Sequence, residues 1–359
     1  MMTRIKHLYV HVPFCKTICF YCDFCHRIYN EELVSKWLLT LENEVKEKCH
    51  DQYETIYIGG GTPTSLSFAQ LQKLLDILKP YSNNVIEYTL EANPENIDED
   101  KIKLLKKYNV NRISLGVQST DDYLLKTINR KHTFDDVKNV VHLLKDNNIT
   151  NISVDLMYSL PKQTMDILNK TIDDVLQLDV PHISAYSLTI EDETVFGKKG
   201  VKTLDEDIEA DMFETLINRL TKNGYVQYEV SNFCKNGYES IHNLGYWNYD
   251  DFLGLSLSSS SKIGNKRWTN TKSFDLYFNN YNCKDEDIVL SKDEQMFENI
   301  MMSLRLKNGL NIEVFNKKYD ENFLNKYKKG ISNKYIRING NRVYCSNLNI
   351  LNSVLLDFM

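Results

Sequence analysis

The sequence predicts an α/β protein in which a partial (β/α)6 barrel is followed by a smaller α+β domain. Between residues 7 and about 224, short β-branched or aromatic runs alternate with amphipathic stretches of 10 to 19 residues. This alternation is typical of βαβ units and a parallel sheet. The chain has 359 residues, and at roughly 150 residues per domain this length leaves room for one further small domain.

Six strands and six helices are expected in the barrel region, residues 1–226. Acidic residues directly after Asp98 and Asp205 suit the positive end of a helix and support two of the helix starts. The strands are predicted at 8–12, 55–58, 86–91, 112–117, 152–157 and 183–188. The helices are predicted at 31–48, 68–78, 98–108, 134–146, 164–178 and 205–223.

A second domain is predicted over residues 227–359, where the alternation fades into an aromatic, Asn- and Ser-rich stretch. Helices followed by a small hairpin favour a winged-helix-like module. Six lysines within 317–334 are more typical of a solvated helix face than of the two alternatives, contact with a membrane surface or with a partner. The patterns are helix-like at 293–307, 313–318 and 348–356 and hairpin-like at 335–344.

Composition narrows the function classes. With 43 Lys+Arg against 49 Asp+Glu, the net charge of −6 gives no electrostatic drive toward nucleic acid. No window approaches the roughly 18 to 20 apolar residues of a membrane-spanning helix, and the start lacks the apolar segment of a signal peptide, so we expect a cytoplasmic protein. Four of the eight cysteines fall within residues 15–25, which in a reducing compartment indicates metal ligation or redox chemistry.

Each unusual motif directly follows a predicted strand. In a β/α barrel the carboxyl ends of all strands share one face, and functional sites are built there. We therefore expect these motifs to form one site. The motifs are Cys15 to Cys22, the glycines at 59–61 with Thr62-Pro63, Glu91-Ala-Asn-Pro94, Gln118-Ser119 and the segment 155–163.

The spacing Cys15-x3-Cys19-x2-Cys22 offers three thiolates from one short loop. Three thiolates can hold three irons of a [4Fe-4S] cluster and leave the fourth iron open to a small-molecule chelate. A zinc site would more often show paired Cys-x2-Cys units or a second ligand pair. The spacing favours a cluster over zinc, and unliganded thiols are the third interpretation.

Glycines and polar side chains complete the predicted site. Residues without a Cβ at 59–61 let main-chain N–H groups approach a carboxylate or an amino-acid ligand, although an ordinary tight turn explains such a run equally well. Each polar side chain alone is more typical of a structural role, and their convergence favours function. The expected partners for ribose hydroxyls, an ammonium or a carboxylate are Glu91, Gln118, Arg130 and Asp155.

Taken together, these motifs resemble the radical S-adenosylmethionine (SAM) proteins related to oxygen-independent coproporphyrinogen III oxidase. The resemblance runs through nearly the whole chain, including the C-terminal module. It is carried by Tyr9-Val-His-Val-Pro-Phe-Cys15-x3-Cys19-x-Tyr-Cys22-Asp-Phe24, GGGTP, EANP, Arg112-Ile-Ser-Leu-Gly-Val-Gln118-Ser, Asp155-Leu-Met with Leu160-Pro161, and Gln227-Tyr-Glu-x-Ser231-Asn.

The resemblance implies a radical-SAM barrel with a [4Fe-4S] cluster on Cys15, Cys19 and Cys22 and with SAM chelating the open iron. It also implies that an electron passes from the cluster, supplied by an electron donor, to the sulfonium of SAM and produces the 5′-deoxyadenosyl radical. The positions that match SAM contacts are Tyr9, Tyr21, Gly60, Gly61, Thr62 and Glu91. Those that match a second SAM site of the oxidase are Gln118, Arg130 and Asp155.

Two features favour the haem-chaperone (HemW-like) branch of this family. The oxidases continue Cys-x-Cys after the third ligand, whereas Phe24 stands at that position here. Cys25, one place further on, is interpreted as a non-ligand. Only eight residues precede Tyr9, so we expect the longer N-terminal arm of the oxidases to be absent.

The element His242-Asn-Leu-Gly-Tyr246-Trp247 matches the haem-binding motif of that branch. A His with nearby Tyr and Trp offers an axial iron ligand and flat apolar surfaces for a macrocycle. In the structural alternative, His242 and Asn243 hydrogen-bond a loop while Tyr246 and Trp247 fill a core.

One segment departs from the branch, because serines at 256 and 258–261 replace a glycine- and alanine-rich run. Their side chains predict altered haem access or a drifted function.

The sequence therefore predicts a haem chaperone that binds haem or porphyrin and hands haem to acceptor haemoproteins. It leaves the oligomeric state open between a monomer and a homodimer. The competing enzyme hypothesis is oxidative decarboxylation of coproporphyrinogen III in porphyrin biosynthesis, in which the SAM-derived radical abstracts a β-hydrogen. A zinc-bound β/α protein without a redox role is the third hypothesis.

Overall fold

The computed structural model describes residues 5–50 and 52–359 and has the predicted α/β fold. Six parallel strands lie side by side in chain order. The second strand runs two residues past its predicted end and includes Gly59 and Gly60. Strands β1 to β6 span His7–Val12, Thr55–Gly60, Glu87–Ala92, Arg112–Gln118, Asn151–Tyr158 and His182–Ser187.

Six long helices alternate with these strands. All six start where a side chain accepts a hydrogen bond from the first turn, which satisfies N–H groups that a helix leaves unpaired. The capping residues are Asn30, Ser67, Asp98, Thr133, Thr164 and Asp205. Helices α1 to α6 span Glu31–Lys48, Phe68–Leu78, Glu99–Lys107, Phe134–Asp146, Met165–Gln177 and Glu206–Lys222. Shorter helices lie at Pro63–Ser65, Lys79–Tyr81, Pro94–Asn96, Asp122–Thr127 and Val195–Lys198.

The alternation of side chains along the strands separates the core from the site. Leu8, Val10, Ile56 and Ile58 are fully buried and belong to the large apolar core that includes side chains of α1 and α2. Because successive strand residues point to opposite faces, the residues between them face the other side of the sheet. Polar and glycine residues of β1 to β5 therefore meet inside the partial barrel.

Further strands extend this sheet beyond both ends of the barrel. Helix α7, Ile241–Trp247, precedes strand β7, Phe252–Leu255, which pairs in parallel with β1. The predicted domain boundary between residues 226 and 227 falls inside Val226–Gln227, a strand of this sheet. The division into two domains there stays a prediction. Beyond β6 lie Asn232–Cys234 and Val226–Gln227, and beyond β7 lie Ser260–Ile263, Lys266–Asn270 and Lys284–Val289.

The C-terminal part has its own apolar core and a small antiparallel sheet. Its first helix, α8, spans Lys292–Ser303 and ends before the predicted residue 307. Leu306, beyond its end, forms a bridge with Glu229. Its other helices are Ile312–Tyr319, Phe323–Lys326, Lys328–Ser332 and Leu351–Leu355. A short helix at Phe274–Asn279 precedes α8 and packs into the large core of the barrel. Its strands are Leu310–Asn311, Ile336–Asn339 and Arg342–Cys345. Across residues 5–50 and 52–359, no helix is both long and apolar enough to cross a bilayer.

Candidate functional site

A cavity of about 270 Å³ lies at the carboxyl ends of the barrel strands. We call it the cysteine cavity. It brings together most of the residues that the sequence predicted for one site, including the three motif cysteines. The predicted residues that line it are Cys15, Cys19, Tyr21, Cys22, Gly60, Gly61, Thr62, Glu91, Gln118, Arg130 and Asp155.

The cysteine loop is closed by pairing of its two ends. Phe14–Cys15 pairs with Arg27–Ile28, and His11 Nε2 donates to the carbonyl of Cys25 at 2.8 Å. The Cys25 thiol contacts the carbonyl of Lys272 at 3.6 Å, outside the cysteine cavity. The loop thus directs three thiols into the cavity and the fourth away from it.

The glycines are required by close packing around the loop. A Cβ on Gly61 would lie 2.8 Å from the carbonyl oxygen of Phe14 and 3.0 Å from Cys15 Sγ. Gly60 has a φ of +113°, and a Cβ there would lie 2.7 Å from the ring of His11. Both positions therefore favour glycine for conformational and steric reasons.

Glu91 forms a hydrogen-bonded hub at one wall. Its carboxylate accepts from the Tyr57 hydroxyl at 2.8 Å and from the Gly60 N–H at 3.0 Å. Burial raises the pKa of Glu91 to about 7, against the opposing effect of the Tyr57 hydrogen bond. The group is therefore poised to respond to a cationic ligand.

Arg130 is buried beside Cys19. Its Nη2 donates to Asn93 Oδ1 at 2.8 Å and to the carbonyl of Gly116, and its Nη1 lies 3.7 Å from Cys19 Sγ. A Cβ on Gly116 would lie 3.1 Å from Nη2. The guanidinium thus places positive charge where thiolates or a carboxylate would be stabilised.

Gln118 on β4 and Asp155 on β5 contribute further polar groups to the cysteine cavity. Both Asp155 oxygens lie 3.1 Å from the Ser114 hydroxyl, and burial raises the pKa of this carboxyl. Gln118 accepts from the Tyr186 hydroxyl at 3.1 Å and has a left-handed φ of +66°. Such a conformation costs about 1–3 kcal/mol and persists where surrounding contacts enforce it.

The donor chemistry of the cavity fits an iron–sulfur cluster. Burial raises the pKa of Cys15 to about 11 and that of Cys22 to about 12, so the thiolates require a cation. A tetrahedral zinc site needs ligands that converge on one ion. A [4Fe-4S] cluster instead takes each cysteine on a different iron, which suits three thiols that line one cavity.

A second cavity of about 570 Å³ adjoins the first. We call it the aromatic cavity. The two cavities share four wall residues, which are Asp23, Phe24, Gly60 and Glu91. Its remaining walls are Tyr9, His11, Cys25, Tyr246, Trp247, Phe252, Met302 and the serines at 258–260.

Tyr9, predicted as a SAM contact, lines the aromatic cavity rather than the cysteine cavity. Its hydroxyl donates to His11 Nδ1 at 3.1 Å. Burial lowers the pKa of His11 to about 4, which keeps this imidazole neutral as the acceptor. Tyr246 and Trp247, predicted for haem, lie across the same cavity.

His242 lines neither cavity. It is fully buried, and its ring nitrogens lie 2.7 Å from Thr55 Oγ1 and 2.7 Å from the Tyr246 hydroxyl. Glu87 fixes the start of α7 by accepting from the N–H groups of Ile241 and His242 at 2.8 and 2.9 Å. The structure therefore does not place His242 where it would meet a ligand in the aromatic cavity.

Comparison with known proteins decides the family. Residues 9–175 match the Radical SAM superfamily, and residues 290–348 match the HemN C-terminal domain. The heme chaperone HemW of Lactococcus lactis subsp. lactis is 38% identical over 331 residues, covering 90% of this chain and 87% of that protein. The chain belongs to the HemW family. HemW of Bacillus subtilis is likewise 38% identical, over 88% of this chain and 87% of that protein.

The HemW-family chain also shares its fold with a solved structure. Coproporphyrinogen III oxidase (HemN) from Escherichia coli, described as a radical SAM enzyme, superposes with a TM-score of 0.87. The alignment covers 99% of this chain and 90% of that chain at 21% identity. This likeness confirms the predicted fold class, and membership in the radical SAM superfamily implies a [4Fe-4S] cluster and SAM.

Several site residues of this HemW-family protein were not predicted. Three of them lie on barrel strands, where a polar residue that faces the barrel interior could have indicated a site residue. These are Tyr57, Ser114 and Tyr186. Met302 and Glu87 come together with α7 only through the fold, so local sequence gave no signal for them. The additional residues are Tyr57, Glu87, Ser114, Gly116, Tyr186, Phe252 and Met302.

Proposed function

We propose that this protein is a haem chaperone that binds haem and transfers it to acceptor haemoproteins, with a [4Fe-4S] cluster and SAM in the cysteine cavity. The observation that carries the proposal is the aromatic cavity, which shares a wall with the cysteine cavity and is lined by Tyr246 and Trp247. The naming of relatives at 38% identity as heme chaperones supports it. Phe24 at the junction of the cavities supports the same branch.

In the cysteine cavity, Cys15, Cys19 and Cys22 would hold the cluster. When bound, the cluster supplies an open iron for the amino and carboxylate groups of SAM and an electron from a donor protein. The backbone at Gly60 and Gly61 is free of side-chain bulk, so a ligand can approach it closely. Glu91 offers a carboxylate to a cationic group, and Arg130 holds positive charge beside Cys19.

In the aromatic cavity, flat side chains would bind the faces of haem or a related porphyrin. Tyr246 packs edge-on against Phe252 with ring centroids 4.6 Å apart. The indole N–H of Trp247 is buried, and within the described ranges it has no hydrogen-bond partner. A cavity of this size lies in the range of small-molecule sites, and an unpaired buried donor is a group that a bound ligand can satisfy.

The proposal is tested by mixing the haem-loaded, cluster-reconstituted protein anaerobically with an apo-haemoprotein. We expect the Soret band to move to the acceptor's position, with the Cys19→Ala variant as the cluster-free comparison. The same preparation is incubated with coproporphyrinogen III, SAM and a reductant. Formation of protoporphyrinogen, or no haem transfer, would contradict the chaperone assignment.

A further inference from the structure

A buried chain of hydrogen bonds runs from Tyr246, a wall residue of the aromatic cavity, past the first residues of β1 and β2 to Asp250. The Tyr246 hydroxyl lies 2.7 Å from His242 Nε2, and His242 Nδ1 lies 2.7 Å from Thr55 Oγ1. Thr55 Oγ1 lies 2.8 Å from His7 Nδ1, and His7 Nε2 lies 3.4 Å from Asp250 Oδ2. Three members, His7, Thr55 and His242, are nearly or fully buried.

The hydrogen-bond chemistry gives this chain a direction. The Asp250 carboxylate only accepts, so His7 carries its proton on Nε2 and, when neutral, accepts at Nδ1 from the Thr55 hydroxyl. Because that hydroxyl has one proton, the Thr55 oxygen accepts from His242 Nδ1–H. The remaining nitrogen of His242 then accepts from the Tyr246 hydroxyl, whose orientation is thereby fixed.

We propose that His242 is a positioning residue that holds Tyr246 in place, and that Tyr246 presents its hydroxyl oxygen to the haem. This inference rests on the proposed haem function. To meet a haem directly, His242 would have to give up two short hydrogen bonds and leave buried polar groups unpaired. Tyr246 already lines the aromatic cavity.

Packing of α7 supports the same division of roles. A Cβ on Gly245 would overlap the imidazole of His7, so glycine lets α7 lie against this residue. The rings of His242 and Tyr246 pack edge-on with centroids 4.9 Å apart. The i,i+4 spacing thus places both side chains on one face of α7, where Tyr246 lines the aromatic cavity and His242 contacts Thr55.

The test uses variants at Thr55, a residue that lines neither cavity. Thr55→Val keeps the shape of the side chain and breaks both of its hydrogen bonds, and Thr55→Ser keeps the hydroxyl as the matched control. We expect Thr55→Val to weaken haem binding about fivefold, the loss of roughly one net hydrogen bond, and to shift the Soret band as His242→Ala does. Thr55→Ser should restore both, and Tyr246→Phe should change the spectrum most.

The inference is overturned if His242→Ala alters the Soret band while Tyr246→Phe and Thr55→Val leave it unchanged, because His242 would then be the direct ligand. Iron and sulfide content and thermal unfolding of each cluster-loaded variant show whether the fold and the cysteine cavity persist. If Thr55→Val unfolds, the comparison of Tyr246→Phe with His242→Ala decides. Absence of any haem binding by the unaltered protein would instead defeat the proposed function itself.

Discussion

The two cavities differ in how the chain builds them. The cysteine cavity is formed by residues at the carboxyl ends of successive barrel strands and by the loop after β1, so each contribution is a short local motif. The aromatic cavity combines β1 with α7, β7, the serines at 258–260 and Met302 of α8. These parts are far apart in sequence and meet only because β7 pairs with β1.

This difference explains why two ligands with different requirements can lie side by side. The cysteine cavity offers thiols, buried carboxylates and a guanidinium, groups that bind a metal cluster and a charged cofactor. The aromatic cavity offers flat rings and a thioether, which suit a macrocycle. The shared wall of Asp23, Phe24, Gly60 and Glu91 brings the two chemistries into contact.

The largest effect is expected at the cysteine loop. Cys19→Ala should abolish the cluster, with iron and sulfide falling from about four each per chain to background, while the barrel stays folded. Cys25→Ala is the matched control in the same loop and should keep the cluster, because its thiol faces Lys272. Unfolding of Cys19→Ala would make the metal structural, and cluster loss in Cys25→Ala would place a fourth thiol in the site.

The free energy of unfolding should depend on pH, because Glu91 in the shared wall is buried and its pKa is raised by folding. Its pKa rises from 4.5 to about 7 on folding, so the folded state favours the protonated carboxyl. This group's contribution is fully favourable below about pH 4.5 and declines as the pH rises through 7. Relative to Glu91→Gln, the cluster-free protein should lose about 3 kcal/mol of unfolding free energy across this range. Urea titrations at several pH values measure it, and a constant difference would refute the assigned pKa.

Truncating a wall residue of the aromatic cavity should weaken haem binding and leave the cluster in place. Trp247→Ala should weaken haem binding about thirtyfold, equivalent to roughly 2 kcal/mol for a buried aromatic anchor. Trp268→Ala is the matched control, because Trp268 lies on the neighbouring hairpin, outside both cavities. Fluorescence quenching by haem gives the affinities. Equal losses in both variants would remove the aromatic cavity as the binding site.

The smallest effect is expected in the serine run beside the aromatic cavity. Ser258 has a left-handed φ of +56°, so Ser258→Gly should stabilise the fold by about 1 kcal/mol. Ser256 is also left-handed, at +76°, but its hydroxyl accepts from Trp37 Nε1 at 2.8 Å, so Ser256→Gly should gain nothing. Thermal unfolding compares the two, and a destabilised Ser258→Gly would contradict the strain argument.

The sequence predicted the barrel well because its signals are local. Helices α1, α2 and α4 are the clearest cases. Each has a capping side chain directly before its first turn, and the predicted bounds 31–48, 68–78 and 134–146 coincide with the observed helices. The six strands were found within a few residues, since β-branched runs buried on both faces are distinctive.

The second half of the sheet was not predicted, because its elements depend on distant partners. The start of α7 is fixed by Glu87, a residue of β3, and β7 forms against β1. For the same reason the sequence named Tyr246 and Trp247 as site residues but gave no sign of Met302. It also left the inward direction of His242 open, because Thr55 lies 187 residues earlier in the chain.

The most direct test of the two-cavity account is a haem titration of the cluster-loaded protein, with the Soret band and iron and sulfide content measured together. The account predicts that one haem binds per chain while the cluster stays intact, and that Cys19→Ala binds haem with the same affinity. Displacement of the cluster by haem, or loss of haem binding in Cys19→Ala, would show that both ligands use a single site and would contradict the account.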